Sequence, residues 1–297
     1  MNRRNHLRML AGMLCGAVTL PTGLFAQDDP KRAEESAIIR RVRYSLIAQN
    51  QTGHVLEQRA FVHAPVRQTS TQRGDALSCT QPSFVEVDVF GNQTLRLQME
   101  PLAPYAARIV TIDAQLSMNG TPQPQAIPPM LEHTYRAPER YMESVDPTIQ
   151  ALVPLLKSQS ARQTAKAVFE FVRRSLRKEE YAGRDRGAVS ALREHVGGCA
   201  DHAYLFTALM RASGFPARVV NGYIDGYSAV LLAHDFHTWA EFHDEGAWLL
   251  ADAHQGRFMR EAARYIAMRV VSHRVPTALG ANQRFAAAGA GLLLTMN

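Results

Sequence analysis

From Ile38 to about Tyr135 apolar residues recur with a period of two, and after a proline-rich break the period lengthens to that of a helix. Val42, Tyr44 and Leu46 alternate with Arg41, Arg43 and Ser45; Leu95, Leu97 and Met99 alternate with Arg96 and Gln98. Alternation of this kind places one side of a strand in a core and the other in water. Val85, Val87 and Val89 repeat it, Val110 and Ile112 continue it, and Gly91-Asn92 reads as a tight hairpin turn. Several short strands at this spacing predict an antiparallel β-sandwich over 38–135. Pro122, Pro124, Pro128, Pro129 and Pro138 then mark a boundary.

Beyond it, Ser160 caps an expected helix with Ala165, Val168, Phe169, Val172 and Leu176 on one stripe. A shorter helix is expected from Ala188 to His195. A third runs from Cys199 to Ser213, with Ala203, Phe206, Leu209 and Met210 on one face and Gly214 ending it. Strands are expected at Arg218 to Ile224, Phe236 to His243 and Ala247 to Asp252. The fold class is therefore α+β: an all-β domain at 38–135, a mixed domain at 140–275, and a small apolar tail at 276–297.

The chain has 297 residues, 46% of them hydrophobic and 20% charged, which excludes wholesale disorder. The formal net charge is +6, and Arg3, Arg4 and Arg8 supply half of it. The rest of the chain is nearly balanced, so no nucleic-acid partner is expected. The Arg40, Arg41, Arg43 cluster and the Arg173, Arg174, Arg177, Lys178 cluster read as a solvated strand edge and helix face. Residues 1–26 join a basic start, an uncharged apolar run and a break at Pro21 and Gly23. This predicts a cleaved export signal, with Arg3-Arg4 resembling a twin-arginine type. A flexible lead at 27–37 would follow. The expected location is periplasmic or secreted, without stable membrane insertion after cleavage.

Cys79 and Cys199 are the cysteines left beyond that signal. Cys199 follows Gly197-Gly198 and opens a helix, where unpaired N–H groups and the dipole favour a thiolate. Those N–H groups can also receive an oxyanion. If Glu245-Gly246 is a two-residue hairpin loop, Trp239 pairs with Asp252. His237 then lies diagonally from Asp252 on the same face, about 7–8 Å away at Cα. Cys199, His237 and Asp252 thus read as nucleophile, base and orienter. Glu241 shares the His237 face and is the alternative orienter.

These residues resemble the transglutaminase-like superfamily. The likeness runs through Gly198-Cys199-Ala200-Asp201-His202-Ala203, Leu209 to Tyr223, His237-Thr238-Trp239-Ala240-Glu241 and Trp248 to Asp252. Matched residue by residue, it implies Cys199 as nucleophile, His237 as base and Asp252 as orienter, on a papain-like core whose nucleophile helix packs against an antiparallel sheet. The region around Val89-Phe90-Gly91-Asn92 is similar to the β-sandwich that precedes this core in exported bacterial members. The implied activity is thiol-dependent acyl transfer on peptide or side-chain amides, with a peptide or protein as substrate. Hydrolysis is favoured over cross-linking to a primary amine, since water is the default acceptor. No cofactor or metal is implied, and substrate-binding residues are not assigned.

Other readings carry less. His234, His237, His243 and His254 are dense enough to suggest a metal, but lack the paired spacing of a zinc site. His202 stands one turn into the Cys199 helix as a supporting or packing group. Trp239, Trp248 and Tyr223 read as core, with Tyr223 on the helix. A Cys79–Cys199 disulfide is the conservative alternative. A non-catalytic envelope-binding protein with a relic core is the alternative function.

Overall fold

The computed structural model describes residues 37–179, 186–275, 279 and 283–296. The expected export signal, and all but the last residue of the lead, lie outside the described residues. Strands β1 (Ile38–Asn50), β2 (Arg59–Ala64), β3 (Gln72–Cys79), β4 (Ser83–Val87), β5 (Gln93–Gln98) and β6 (Ala107–Met118) come first. Their period-two pattern becomes packing through register. Tyr44 lies opposite Ile112 and Leu46 opposite Val110 in the antiparallel β1–β6 pair, so each pair shares a face. Strands β1, β6 and β3 form one sheet and β2, β5 and β4 another, and both contribute to one apolar core.

Three local expectations change. β4 is a sheet edge, and its Phe84, Val85 and Val87 are exposed. The hairpin it makes with β5 turns through Asp88 to Asn92, not through Gly91-Asn92 alone. Asp88 Oδ1 accepts the N–H groups of Phe90 and Asn92 and so closes the turn. Of the β1 arginines, Arg43 is flanked by both β6 and β10, whereas Arg40 and Arg41 pair with β6 alone.

Three single-turn helices follow, α1 (Pro129–Glu132), α2 (Pro147–Gln150) and α3 (Val153–Leu156), each with proline in its first turn. Then come α4 (Ala161–Ser175), β7 (Arg177–Lys178), α5 (Ala188–Glu194), β8 (Val196–Gly197) and α6 (Cys199–Ala212). Ser160 Oγ accepts the Gln163 N–H and caps α4 as its sequence implies. The remaining strands are β9 (Ala217–Ile224), β10 (Ala229–Val230), β11 (Phe236–Asp244), β12 (Ala247–Asp252), β13 (Arg257–Phe258), β14 (Tyr265–Val271), β15 (Phe285–Ala287) and β16 (Leu292–Met296).

Strands β13, β12, β11, β9 and β14 form an antiparallel sheet in that order. Helix α6 packs on it beneath α4 and α5, and is buried all round from Asp201 to Arg211. Its mean composition, rather than a single stripe, is what the packing uses. Tyr223 packs into the core of the first two sheets, against Phe236, and not onto α6.

Within the expected tail, residues 283–296 are described and carry two strands. β15 pairs with β2, and β16 pairs with β1. Its apolar side chains thereby complete the first core. The mixed region is tied to the first sheets through β14. Gln72 donates to and accepts from the Ala267 backbone, and Asn92 does the same with Val270. These side-chain amides satisfy backbone groups on a strand edge that would otherwise be buried unpaired. Among the described residues no helix is long and apolar enough to cross a membrane.

Candidate active site

Cys199 opens α6, with Gly198 as an extended N-cap. Asp201 anchors this start: Oδ2 accepts the Gly198 N–H at 3.1 Å, and Oδ1 accepts the N–H groups of Arg186 and Gly187. Gly197 is obligatory because a Cβ there would stand 2.6 Å from the Asp201 Cβ. At Gly198 the nearest atom to such a Cβ is the Glu179 carbonyl oxygen, 3.9 Å away, so the approach beside the sulfur is open. His202 Nδ1 lies 2.8 Å from the Gly198 carbonyl oxygen and holds the same turn.

The β11–β12 hairpin sets the other two groups. Asp244 pairs with Ala247 and Ala240 with Ala251, so Glu245-Gly246 is the two-residue loop. Both residues have positive φ, 49° and 82°, as that turn requires. His237 and Asp252 consequently meet: Nε2 lies 2.8 Å from Oδ2, with both residues buried. Nδ1 is the ring nitrogen left to face Cys199, whose thiol acts on the His237 ring.

The three groups shift one another. Burial pushes the Cys199 thiol up, but the hydrogen bond and charge of His237, then the backbone and hydroxyl of Thr238, outweigh it and hold the thiol below its usual range. Burial likewise pushes His237 down, yet hydrogen bonds to Asp252 and Cys199 and their charges raise it to about 9. Asp252 is held low despite its burial by His237, the Gln255 N–H and the Tyr265 hydroxyl. Tyr265 donates to Oδ2 at 2.8 Å, and Gln255 donates to Oδ1 at 2.9 Å. All three shifts run toward the charged forms: thiolate, imidazolium and carboxylate.

The competing assignments fall elsewhere. Glu241 is paired with Arg218, 2.7 Å from Nη2, and accepts from Trp239 Nε1, so it does not orient His237. The four clustered histidines disperse. His234 is exposed beside Asp235, His243 meets the Gln125 carbonyl, and only His254 adjoins His237, with ring centroids 5.8 Å apart. Cys79 and Cys199 are both free. Trp239 and Trp248 are buried in the core.

Sequence reasoning missed Thr238, Gln255 and Tyr265, and weighed His254 only as a metal ligand. His254 and Gln255 sit in the turn that Asp252 starts, so proximity in sequence was a usable signal. Tyr265 comes from β14, a strand whose position no pattern around the hairpin announces.

With this geometry in hand, the match to known proteins is specific. The family model described as the transglutaminase-like superfamily matches residues 151–253, which include all three groups. The chain carries a transglutaminase-like core. Among solved structures, a crystal structure of a "putative cysteine protease" from Cytophaga hutchinsonii aligns with a TM-score of 0.57 at 15% identity, covering 88% of this chain and 90% of that one. A protease candidate from Parabacteroides distasonis overlaps with a TM-score of 0.31 at 13% identity, over 66% of this chain and 43% of that one. A protein described as a TGase gives a TM-score of 0.29 at 13% identity, over 67% of this chain and 50% of that one. These last two overlaps carry no argument about fold. No curated protein matches the chain. The transglutaminase-like family match supports a thiol-dependent enzyme.

Proposed function

We propose that the protein performs acyl transfer on peptide or side-chain amides through Cys199, His237 and Asp252, with hydrolysis as its main outcome. The observation that carries this is the His237 Nε2–Asp252 Oδ2 contact at 2.8 Å, together with a thiol at the start of α6 that His237 holds below its usual range. In this reading the Cys199 thiolate attacks the amide carbonyl carbon. The carbonyl oxygen takes the electron pair and is met by free N–H groups at the helix start. The His237 imidazolium protonates the leaving amine as the C–N bond breaks, which leaves a thioester and a neutral imidazole. That imidazole takes a proton from water as the oxygen attacks the thioester. Collapse releases the carboxylic acid and returns the sulfur as thiolate beside imidazolium.

A primary amine in place of water would give an amide and make the reaction a cross-link. Hydrolysis is favoured because water is present at every turnover and no amine-binding residue is assigned. We read the two first sheets as a β-sandwich that buttresses β14, and the 1–26 pattern as export to the periplasm or beyond. Metal or cofactor is not called for by these steps, and neither is nucleic acid.

The test is labelling with a glutamine-amide or peptide probe, with and without a primary amine. Release of the free acid, lost in Cys199→Ala, supports hydrolysis. Incorporation of the amine at the expense of acid makes the enzyme a transferase. Absence of any Cys199-dependent product from a folded protein contradicts the proposal.

A further inference from the structure

A cationic rim beside the nucleophile was left unused by the chemistry above. β7 runs parallel to β8 with Lys178 opposite Gly197, two residues before Cys199. The Glu179 N–H donates to the Gly197 carbonyl and fixes that register. Across from it lies the turn that follows Asp252. His254 stands there, 5.1 Å from the His202 ring and 5.8 Å from the His237 ring between centroids. Arg173 lies against the same turn, its Nη1 3.8 Å from where a Cβ on Gly256 would be.

The acids of this rim are already engaged. Glu179, Glu194 and Asp201 all pair with Arg186, and Asp252 is held by His237. Arg257 is committed to Glu261 and the Tyr265 hydroxyl, and Arg173 to Glu170 at 3.6 Å. Lys178 is exposed, and no ion pair joins it to an acid among the described residues. Its charge nonetheless reaches inward. Burial is what mainly lowers His254, to about 4, with His202, His237 and Lys178 adding to it. His202 is lowered first by its burial, with Lys178 contributing again.

We infer that Lys178 is a specificity-determining residue that selects a substrate carrying a carboxylate next to the scissile amide, that is, an acidic peptide. This rests on the acyl-transfer reading of Cys199 and names the substrate class of that site. The His202–His254 pair gives the incoming carboxylate no competing anion, and among the described residues Lys178 stands beside this turn as a cation with no ion pair.

Two alkylating reagents of the same size test it without a known substrate. Iodoacetate is an anion and iodoacetamide is neutral; with either, the sulfur displaces iodide and an S–C bond forms. The rate of each at Cys199 is followed by mass spectrometry, and the iodoacetate-to-iodoacetamide ratio is read, so that any change in thiol reactivity divides out. At low ionic strength that ratio is expected to fall about fivefold in Lys178→Gln and further in Lys178→Glu. The difference should fade near 1 M salt, where the screening length is about 3 Å. A ratio insensitive to both substitutions overturns the role of Lys178 while leaving the thiol reading intact. Failure of both reagents to label Cys199 in the folded protein overturns the two together.

Discussion

Two histidines of this molecule are almost equally buried and behave in opposite ways. His63, in β2 of the first sheets, is 4% exposed, and His237, in β11 of the transglutaminase-like core, is 7% exposed. Burial pushes His63 down to about 3, aided by the Arg269 charge and only partly opposed by the Gln93 carbonyl. The same burial acts on His237, but Asp252 and Cys199 reverse it and carry the ring to about 9. The difference generalises. The first sheets bury amides that satisfy backbone groups, such as Asn50, Gln72 and Asn92. The core buries charges in pairs: Arg218 with Glu241, Arg211 with Glu139, and His237 with Asp252. One region spends its buried polarity on architecture and the other holds ionised groups where chemistry can use them.

Breaking the charged region should give the largest effects. Cys199→Ala is expected to abolish probe turnover while leaving the melting temperature close to wild type, as read by calorimetry. Asp252→Asn should lower kcat about 10³–10⁴-fold, the size seen when an orienting carboxylate is neutralised elsewhere. Its alkaline limb should also move to lower pH, because His237 loses the partner that raises it. An unchanged limb would separate Asp252 from the histidine.

The neutral region should answer in stability and not in chemistry. Asn92→Ala strips partners from the Val270 N–H and carbonyl. Denaturant titration should show a loss of about 2–4 kcal/mol. Labelling of Cys199 per folded molecule should stay unchanged.

The two histidines also predict opposite pH slopes. His237 has a folded pKa above its ordinary 6.5, so its contribution is complete below 6.5 and is lost as pH rises through about 9. His63 has a folded pKa below 6.5, so the unfolded chain binds the extra proton, and stability falls as pH drops from 6.5 toward about 3. Each effect should amount to roughly 3–5 kcal/mol at most. His237→Gln should flatten the alkaline side and His63→Gln the acid side of a pH–stability curve. The smallest effect is expected from Tyr265→Phe. Losing its hydrogen bond to Asp252 leaves a more basic carboxylate, so the alkaline limb should move upward, with a stability loss of about 1 kcal/mol.

Much of the core was legible because its signals are local. A glycine pair before Cys199, the Glu245-Gly246 turn and two alternating strands are each written in a few consecutive residues, and register does the rest. The Trp239–Asp252 alignment needed only the turn to have positive φ at both positions. What escaped was non-local. Tyr265 reaches Asp252 from β14, β16 returns to pair with β1, and β10 joins that same sheet from inside the core region. Such contacts are fixed by tertiary packing, which leaves no period in the sequence. Glu241 was misplaced as a possible orienter for the same reason: its partner Arg218 lies on β9, and sharing a strand face with His237 does not reveal it.

The pH dependence of Cys199 alkylation by iodoacetamide reads the ionisation of the sulfur. In the wild-type protein the rate should persist well below pH ~8.5, the ordinary thiol pKa, and in His237→Ala it should rise only near that value. Identical profiles for the two proteins would mean that the imidazole does not hold the sulfur ionised and that His237 is not the partner of Cys199.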